Sequence, residues 1–190
     1  MQGTYLRYGF SDLCELKLLV PIQAEREKLL TTTKQTDSYQ KALDLAEAGK
    51  YQEAFEHIQQ HLEAAADDPE VLNDAGAILH CLGRYEEAVD HLQKAKNLMP
   101  DSAEILWNLA EAYLAVGKAS KVCELFDGMQ ELGILNADML NRTANVFLNE
   151  DCPLDALKTL RRSLEVWSDQ EILKPMIEVI RLKTEQNDSE

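Results

Sequence analysis

The sequence lacks any excess of basic charge. Its 190 residues include 19 Lys and Arg against 34 Asp and Glu, which gives a formal net charge of −15. A nucleic-acid-binding surface needs basic side chains to displace counterions from phosphates, so nucleic acid is excluded as a partner. Docking on an anionic membrane is disfavoured for the same reason, and we expect no membrane partner. The charge balance instead favours partners with basic or amphipathic segments.

Long apolar runs and closely paired cysteines are also missing. The longest apolar stretch, residues 16–22, is interrupted by Lys17 and Pro21 and is too short to cross a bilayer. Because no basic leader precedes it either, we expect a cytoplasmic protein. The cysteines lie far apart, at Cys14, Cys81, Cys123 and Cys152. This spacing argues against a zinc ribbon or a disulfide scaffold, and we expect buried thiols in a reducing compartment.

Sequence motifs for catalysis are absent as well. No G-x-S-x-G elbow and no phosphate-binding glycine loop occurs. His57 and His61 have the spacing of a zinc-peptidase helix, but Ile58 stands where the catalytic glutamate belongs and no third ligand is evident. We therefore predict no enzymatic activity, no metal site and no cofactor.

What the sequence does contain is a period of 34 residues. Gly49, Gly83 and Gly117 are spaced by this interval, and the next step falls on Asp151. The same grid of small and large apolar residues surrounds each of them, which defines four units: 35–68, 69–102, 103–136 and 137–170. Apolar residues at i, i+3, i+4 and i+7 on both sides of each turn predict two helices per unit. The glycine supplies the left-handed end of the first helix.

This pattern resembles the tetratricopeptide repeat, a 34-residue helix-turn-helix. The best match is the second unit, through Leu72, Ala75, Gly76, Leu79, Gly83, Tyr85, Ala88, Leu92, Ala95 and Pro100. The resemblance implies an all-α fold, an α-solenoid in which the repeats form a right-handed superhelix with terminal capping helices. We interpret residues 171–190 as a C-terminal capping helix with a frayed tail, with Pro175 in its first turn or at a kink. Residues 1–34 are interpreted as an N-terminal helical extension that caps the repeats or folds on a partner.

The resemblance also implies a concave groove lined by the first helix of each unit. Carried over to this sequence, the candidate peptide-binding residues are Asn73, His80, Trp107, Asn108, Glu111, Asn141, Arg142, Asn145 and Asn149. Amides both donate and accept hydrogen bonds, so they can pair with an extended peptide backbone, and Trp107 could anchor an apolar side chain. Two alternatives remain open: the amides at the sixth position of the repeat merely bond neighbouring helices, and Trp107 packs on the adjacent repeat.

One specialised activity of this family is predicted to be absent. Some tetratricopeptide domains grip the acidic C-terminal tails of heat-shock chaperones with a clamp rich in lysine and asparagine. The corresponding places in this sequence hold Tyr39, Leu43, Asp74 and Glu104. A groove with acidic groups at these places should repel an acidic tail.

Together these observations predict a non-enzymatic scaffold or adaptor that binds an extended or helical peptide segment in the concave groove. The alternatives are a chaperone of the type III secretion kind, which shields a client protein, and the recruitment module of a larger enzyme such as a glycosyltransferase. Self-association is a fourth possibility, through an uncovered end of the repeats or through residues 1–34.

Overall fold

The structure is a computed structural model that describes residues 37–64 and 67–187, and these residues form ten α-helices and no strand. In chain order they are α1 (Asp37–Glu47), α2 (Tyr51–Ala64), α3 (Pro69–Cys81), α4 (Tyr85–Leu98), α5 (Ala103–Ala115), α6 (Ala119–Cys123), α7 (Phe126–Glu131), α8 (Ala137–Asn149), α9 (Pro153–Val166) and α10 (Leu173–Asn187). The extension predicted over residues 1–34 lies outside the described residues.

The described residues divide into two compact units, one that ends at Leu98 and one that begins at Met99. In the first unit, α1 pairs with α2, α3 pairs with α4, and α2 packs on α3. In the second unit, α5 packs on α6 and α7, α8 pairs with α9, and α9 packs on α10. Consecutive helices therefore pack as hairpins inside each unit, as the 34-residue period predicts.

The turns inside the repeats share one hydrogen-bonding pattern. Gly83 has a positive φ of 74°, its N–H donates to the carbonyl of His80 (3.0 Å), and the next N–H, from Arg84, donates to Leu79 (2.9 Å). These two bonds form a Schellman motif, which satisfies carbonyls at the end of the first helix. Gly49 and Gly117 adopt the same conformation. The prediction of a left-handed helix end at these glycines is confirmed.

The fourth repeat makes the same turn without glycine. Asp151 has a φ of 56°, in the left-handed region. Its N–H donates to Leu148, and the N–H of Cys152 donates to Phe147 (2.8 Å). Pro153 then occupies the first position of α9, where a missing N–H costs nothing.

The core of each hairpin forms where small residues allow the two helices to approach. The eighth position of the 34-residue repeat is buried in all four repeats, where it is occupied by Ala42, Gly76, Ala110 and Ala144. The closest approach is at Gly76, where an added Cβ would lie 2.5 Å from Cγ of Leu92. The predicted apolar grid is therefore the packing surface of the hairpins.

The third repeat differs from the prediction of two helices per unit, because its second helix is divided into α6 and α7. At the break, the N–H of Leu125 bonds the carbonyl of Val122 (2.9 Å), a three-residue step in place of the four-residue step of an α-helix. The second segment then ends early, because Gly133 takes a positive φ of 69° after Glu131.

Helix α10 closes the second unit. Its inner residues Leu173 and Ile180 are buried in the same cluster as Phe147 and Leu160, so α10 covers the last hairpin. Pro175 lies in the first turn of the helix, where its ring is tolerated, as predicted.

Candidate peptide-binding face

A buried ion pair joins the first helices of the third and fourth repeats. Arg142 on α8 donates from Nη1 to Oε1 of Glu111 on α5 (2.9 Å) and from Nη2 to Oε2 (2.6 Å). The Glu111 side chain is 1% exposed and the Arg142 side chain 29% exposed. A two-pronged bond of this kind fixes the guanidinium and the carboxylate in one plane. It therefore holds α8 in a defined position beside α5.

Electrostatics strengthen this arrangement. Burial alone lowers the pKa of Arg142, but the hydrogen bonds and negative charge of Glu111, together with Asp138, outweigh it and raise the pKa above its usual value. Oδ2 of Asp138 lies 3.6 Å from Nη1 of Arg142. The guanidinium stays charged at any physiological pH.

The first unit contains a comparable link between first helices. The Tyr39 hydroxyl on α1 donates to Oδ2 of Asp74 on α3 (2.5 Å). Asp74 and Arg142 both occupy the sixth position of their repeats, and each binds the first helix of the preceding repeat. Asn108, at the same position of the third repeat, is 4% exposed. Asp74 and Arg142 thus bond neighbouring helices from this position, while the same role for the amide of Asn108 stays a prediction.

The remaining candidate residues differ widely in exposure. Asn73 is 4% exposed, and His80 is half-buried with its ring 5.1 Å from that of Tyr85 in an edge-on arrangement. Trp107 is half-buried, whereas Asn145 and Asn149 are exposed. A peptide docking on the first helix of the fourth repeat would therefore meet the two exposed asparagines first.

Asn141 belongs to a hydrogen-bond network that includes a residue outside the predicted set. Its Nδ2 donates to Oε1 of Gln170 (2.8 Å), and Nε2 of Gln170 donates to the carbonyls of Ser163 (3.1 Å) and Trp167 (2.8 Å). The network ties the end of α9 to α8. Gln170 was missed because the apolar period marks core residues and carries no signal for a polar side chain in a link between units.

His57 and His61, which have the spacing of a zinc-peptidase helix, contact residues of α1 in their own hairpin. Nδ1 of His57 lies 3.3 Å from the Ser38 hydroxyl, and the His61 ring lies 5.2 Å from that of Tyr39. Among the described residues, no cluster of three His, Cys, Asp or Glu side chains has the arrangement of a metal site. None of the described helices combines the length and apolarity needed to span a bilayer.

The cysteines divide into two kinds. Cys123 and Cys152 are free and half-buried. Burial raises the pKa of the Cys123 thiol above its usual value, which keeps it protonated and unreactive at neutral pH. Cys81 is disulfide-bonded, so the prediction of a buried thiol is wrong for this residue.

Comparison with known proteins agrees with this architecture. Residues 76–117 match the TPR repeat family. No curated protein sequence matches the chain. Among solved structures, MamA AMB-1 is 18% identical with a TM-score of 0.62, over 80% of this chain and 83% of that one. MamA MSR-1 is 20% identical with a TM-score of 0.61, over 80% of this chain and 87% of that one.

A third structure, MamA 41-end from Desulfovibrio magneticus RS-1, is 13% identical with a TM-score of 0.61, over 81% of this chain and 89% of that one. At such identities the likeness concerns the fold, and it confirms the predicted all-α class. The match to the TPR repeat family covers residues 76–117, and the 34-residue period with its four similar turns continues the same helix-turn-helix pattern beyond them.

Proposed function

We propose that this protein is a protein-interaction scaffold that binds an extended or helical peptide segment of another protein along α8, and that it performs no catalysis itself. The observation that carries the proposal is the exposure of Asn145 and Asn149 on the side of α8 that faces away from the core. Asparagine is a poor helix former, so Asn145 in the interior of α8 has a stability cost that peptide binding would explain.

The geometry of α8 supports this role. Asn141, Asn145 and Asn149 are spaced by four residues, so their side chains point within about 80° of one another around the helix. The buried residues Leu140 and Phe147 lie on the opposite side. The resulting amide face, defined as Asn145 and Asn149, is thus separate from the packing surface, whereas Asn141 is half-buried and donates to Gln170.

The amide face is also held rigidly. The Arg142–Glu111 pair fixes the middle of α8 against α5, and the bond from Asn141 to Gln170 fixes its first half against the end of α9. Rigid presentation lowers the entropy that binding would cost. Exposed amides on a rigid helix can then pair with the N–H and carbonyl groups of an extended segment, whatever its sequence.

Charge favours a basic or amphipathic partner. Asp138, one turn before Arg142 on α8, is 66% exposed, and the whole chain carries a net charge of −15. An acidic surface accelerates encounter with basic segments and disfavours acidic ones. The predicted inability to bind acidic chaperone tails follows from the same charge.

The test is selection of binders from a phage-displayed library of random peptides on the full chain, followed by titration of the selected peptides. We expect Asn145→Ala combined with Asn149→Ala to weaken binding by about tenfold, since two backbone-directed bonds are lost. The matched control is Asn97→Ala on α4, an exposed asparagine that bonds only Gln93 among the described contacts. This control should leave the affinity unchanged.

Selected peptides whose affinity is equal for the parent chain and the double variant would place the binding surface elsewhere and overturn the proposal. Enrichment of acidic peptides would contradict the charge argument. If no short peptide binds and the protein instead requires one long apolar segment of a client protein, the secretion-chaperone alternative is favoured.

A further inference from the structure

Helix α10 carries a second apolar face that the core does not use. Ile172, directly before the helix, and Pro175, Val179 and Leu182 follow one another at i, i+3, i+7 and i+10. Ile172 is 81% exposed, Val179 52% and Leu182 47%. Large apolar side chains that are exposed together on one helix face are typical of an interaction surface. We call these four residues the outer stripe.

The outer stripe is distinct from the residues that attach α10 to the protein. Leu173 and Ile180 are buried in the core cluster, and Met176 and Ile177 pack against it. On a helical projection the outer stripe is centred about 120° away from these inner residues. The fold of the last hairpin therefore gains nothing from the exposed apolar groups.

The charges beside the outer stripe have an unusual order. Lys174, Glu178, Arg181 and Glu185 lie along the third face of α10, and all four are exposed. The series reads positive, negative, positive, negative, and it changes sign when reversed about the midpoint between residues 179 and 180. In an antiparallel pair of identical helices centred there, Lys174 of one copy meets Glu185 of the other, and Glu178 meets Arg181.

We propose that a second copy of this chain docks on the outer stripe, so that α10 pairs with α10 in antiparallel orientation about a two-fold axis. The two Val179 side chains then meet near the axis with Pro175 and Leu182 on either side, Ile172 lies at the end of the paired helices opposite position 187, and each of the four charges on the flanking face meets an opposite charge. Such self-complementarity is what a two-fold interface requires. It also provides a place where two chains of the same strong net charge can approach without local repulsion.

The ion pairs that Arg181 forms within α10 would not prevent the antiparallel pairing of two α10 helices. Arg181 binds Glu178 (2.5 Å) and lies 3.8 Å from Glu185 within its own helix, and these side chains are 45–60% exposed. Exposed pairs of this kind are worth little and exchange easily for pairs across an interface. A single helix pair buries less than the roughly 800 Å² per partner of a standard interface, so we expect a dimer in the micromolar range.

The test is sedimentation velocity of the full chain from low to high micromolar concentration, with circular dichroism to show that each variant is folded. We expect concentration-dependent dimers that Val179→Glu abolishes. Glu178→Arg alone and Arg181→Glu alone should each weaken dimerisation roughly tenfold, because a like-charge contact arises at two symmetric places. The double reversal, Glu178→Arg with Arg181→Glu, should restore it.

The matched control is Lys158→Glu, which breaks an exposed pair of the same spacing on α9, Lys158 with Asp155 (3.0 Å), and should leave the dimer unchanged. A chain that stays monomeric throughout, or a dimer indifferent to Val179→Glu, would overturn the proposal. So would a double reversal that stays as weak as the single ones, since the outer stripe would then suit a different occupant. The peptide-binding proposal for α8 is unaffected by any of these outcomes.

Discussion

Removing the charge of Arg142 is the most direct test of how the repeats are held together. In Arg142→Met the aliphatic stem is kept, but the carboxylate of Glu111, 1% exposed, loses both of its hydrogen bonds from the guanidinium. Breaking a buried pair by removing one partner costs about 3–5 kcal/mol. Because Arg142 is itself 29% exposed and water can enter the vacated space, we expect the lower end, about 3 kcal/mol.

The assay is urea denaturation at neutral pH followed by circular dichroism, in which a loss of that size moves the midpoint by about 1.5 M. Lys121→Met is the matched control, because it also removes a charge and keeps the stem. Its partner Glu124 is 59% exposed, so the loss should stay below about 0.5 kcal/mol. Replacing both members of the buried pair, Glu111→Leu with Arg142→Met, should return the stability to within about 1 kcal/mol of the parent chain.

This set of variants can refute the reasoning cleanly. If Arg142→Met costs no more than Lys121→Met, then the pair behaves as a surface contact and Glu111 is reached by water. If the double replacement is as unstable as Arg142→Met, then the lost energy comes from packing of the guanidinium and not from an unpaired buried carboxylate. Either result would remove the argument that this pair fixes α8 beside α5.

Four further substitutions test the repeats. Asp151→Gly should raise the free energy of unfolding by about 0.5–1 kcal/mol, because the φ of 56° is strained for any residue with a Cβ, and Gly117→Ala should lower it by about 1 kcal/mol at a φ of 69°. Gly76→Ala should destabilise by about 1 kcal/mol despite its better helix propensity, because the new Cβ would lie 2.5 Å from Cγ of Leu92; a stabilised variant in urea denaturation would contradict this. Asn145→Ala should stabilise the chain by about 0.5 kcal/mol while weakening peptide binding, and a variant that loses stability would show that the amide has a structural role.

The parts of the fold that sequence predicts well are those decided locally. A left-handed helix end needs glycine or a tolerant residue, so the period from Gly49 to Gly117 and on to Asp151 places every turn inside the repeats. The break between α6 and α7 was not predicted, because the apolar residues Val122, Phe126 and Met129 keep their helical spacing across it. The backbone departs from the pattern because the N–H of Leu125 bonds the carbonyl three residues back in place of four. No side chain in the sequence indicates this change.

The candidate site shows where the repeat register stops being informative. Glu111 and Asn145 occupy the same ninth position of consecutive repeats, yet Glu111 is buried and Asn145 is exposed. The difference arises in α8, the first helix of the next repeat. Its sixth position is Arg142, whose side chain reaches back to Glu111 and covers it. In the register that follows Asn145 the sixth position is Met176, whose side chain packs into the core cluster instead and offers no hydrogen bond. The burial of Glu111 is therefore due to Arg142, 31 positions further along the chain. Considering Glu111 together with Arg142, and Asn145 together with Met176, would have predicted that the carboxylate is buried and the amide exposed. Assigning roles by position within a single repeat gives Glu111 and Asn145 the same role.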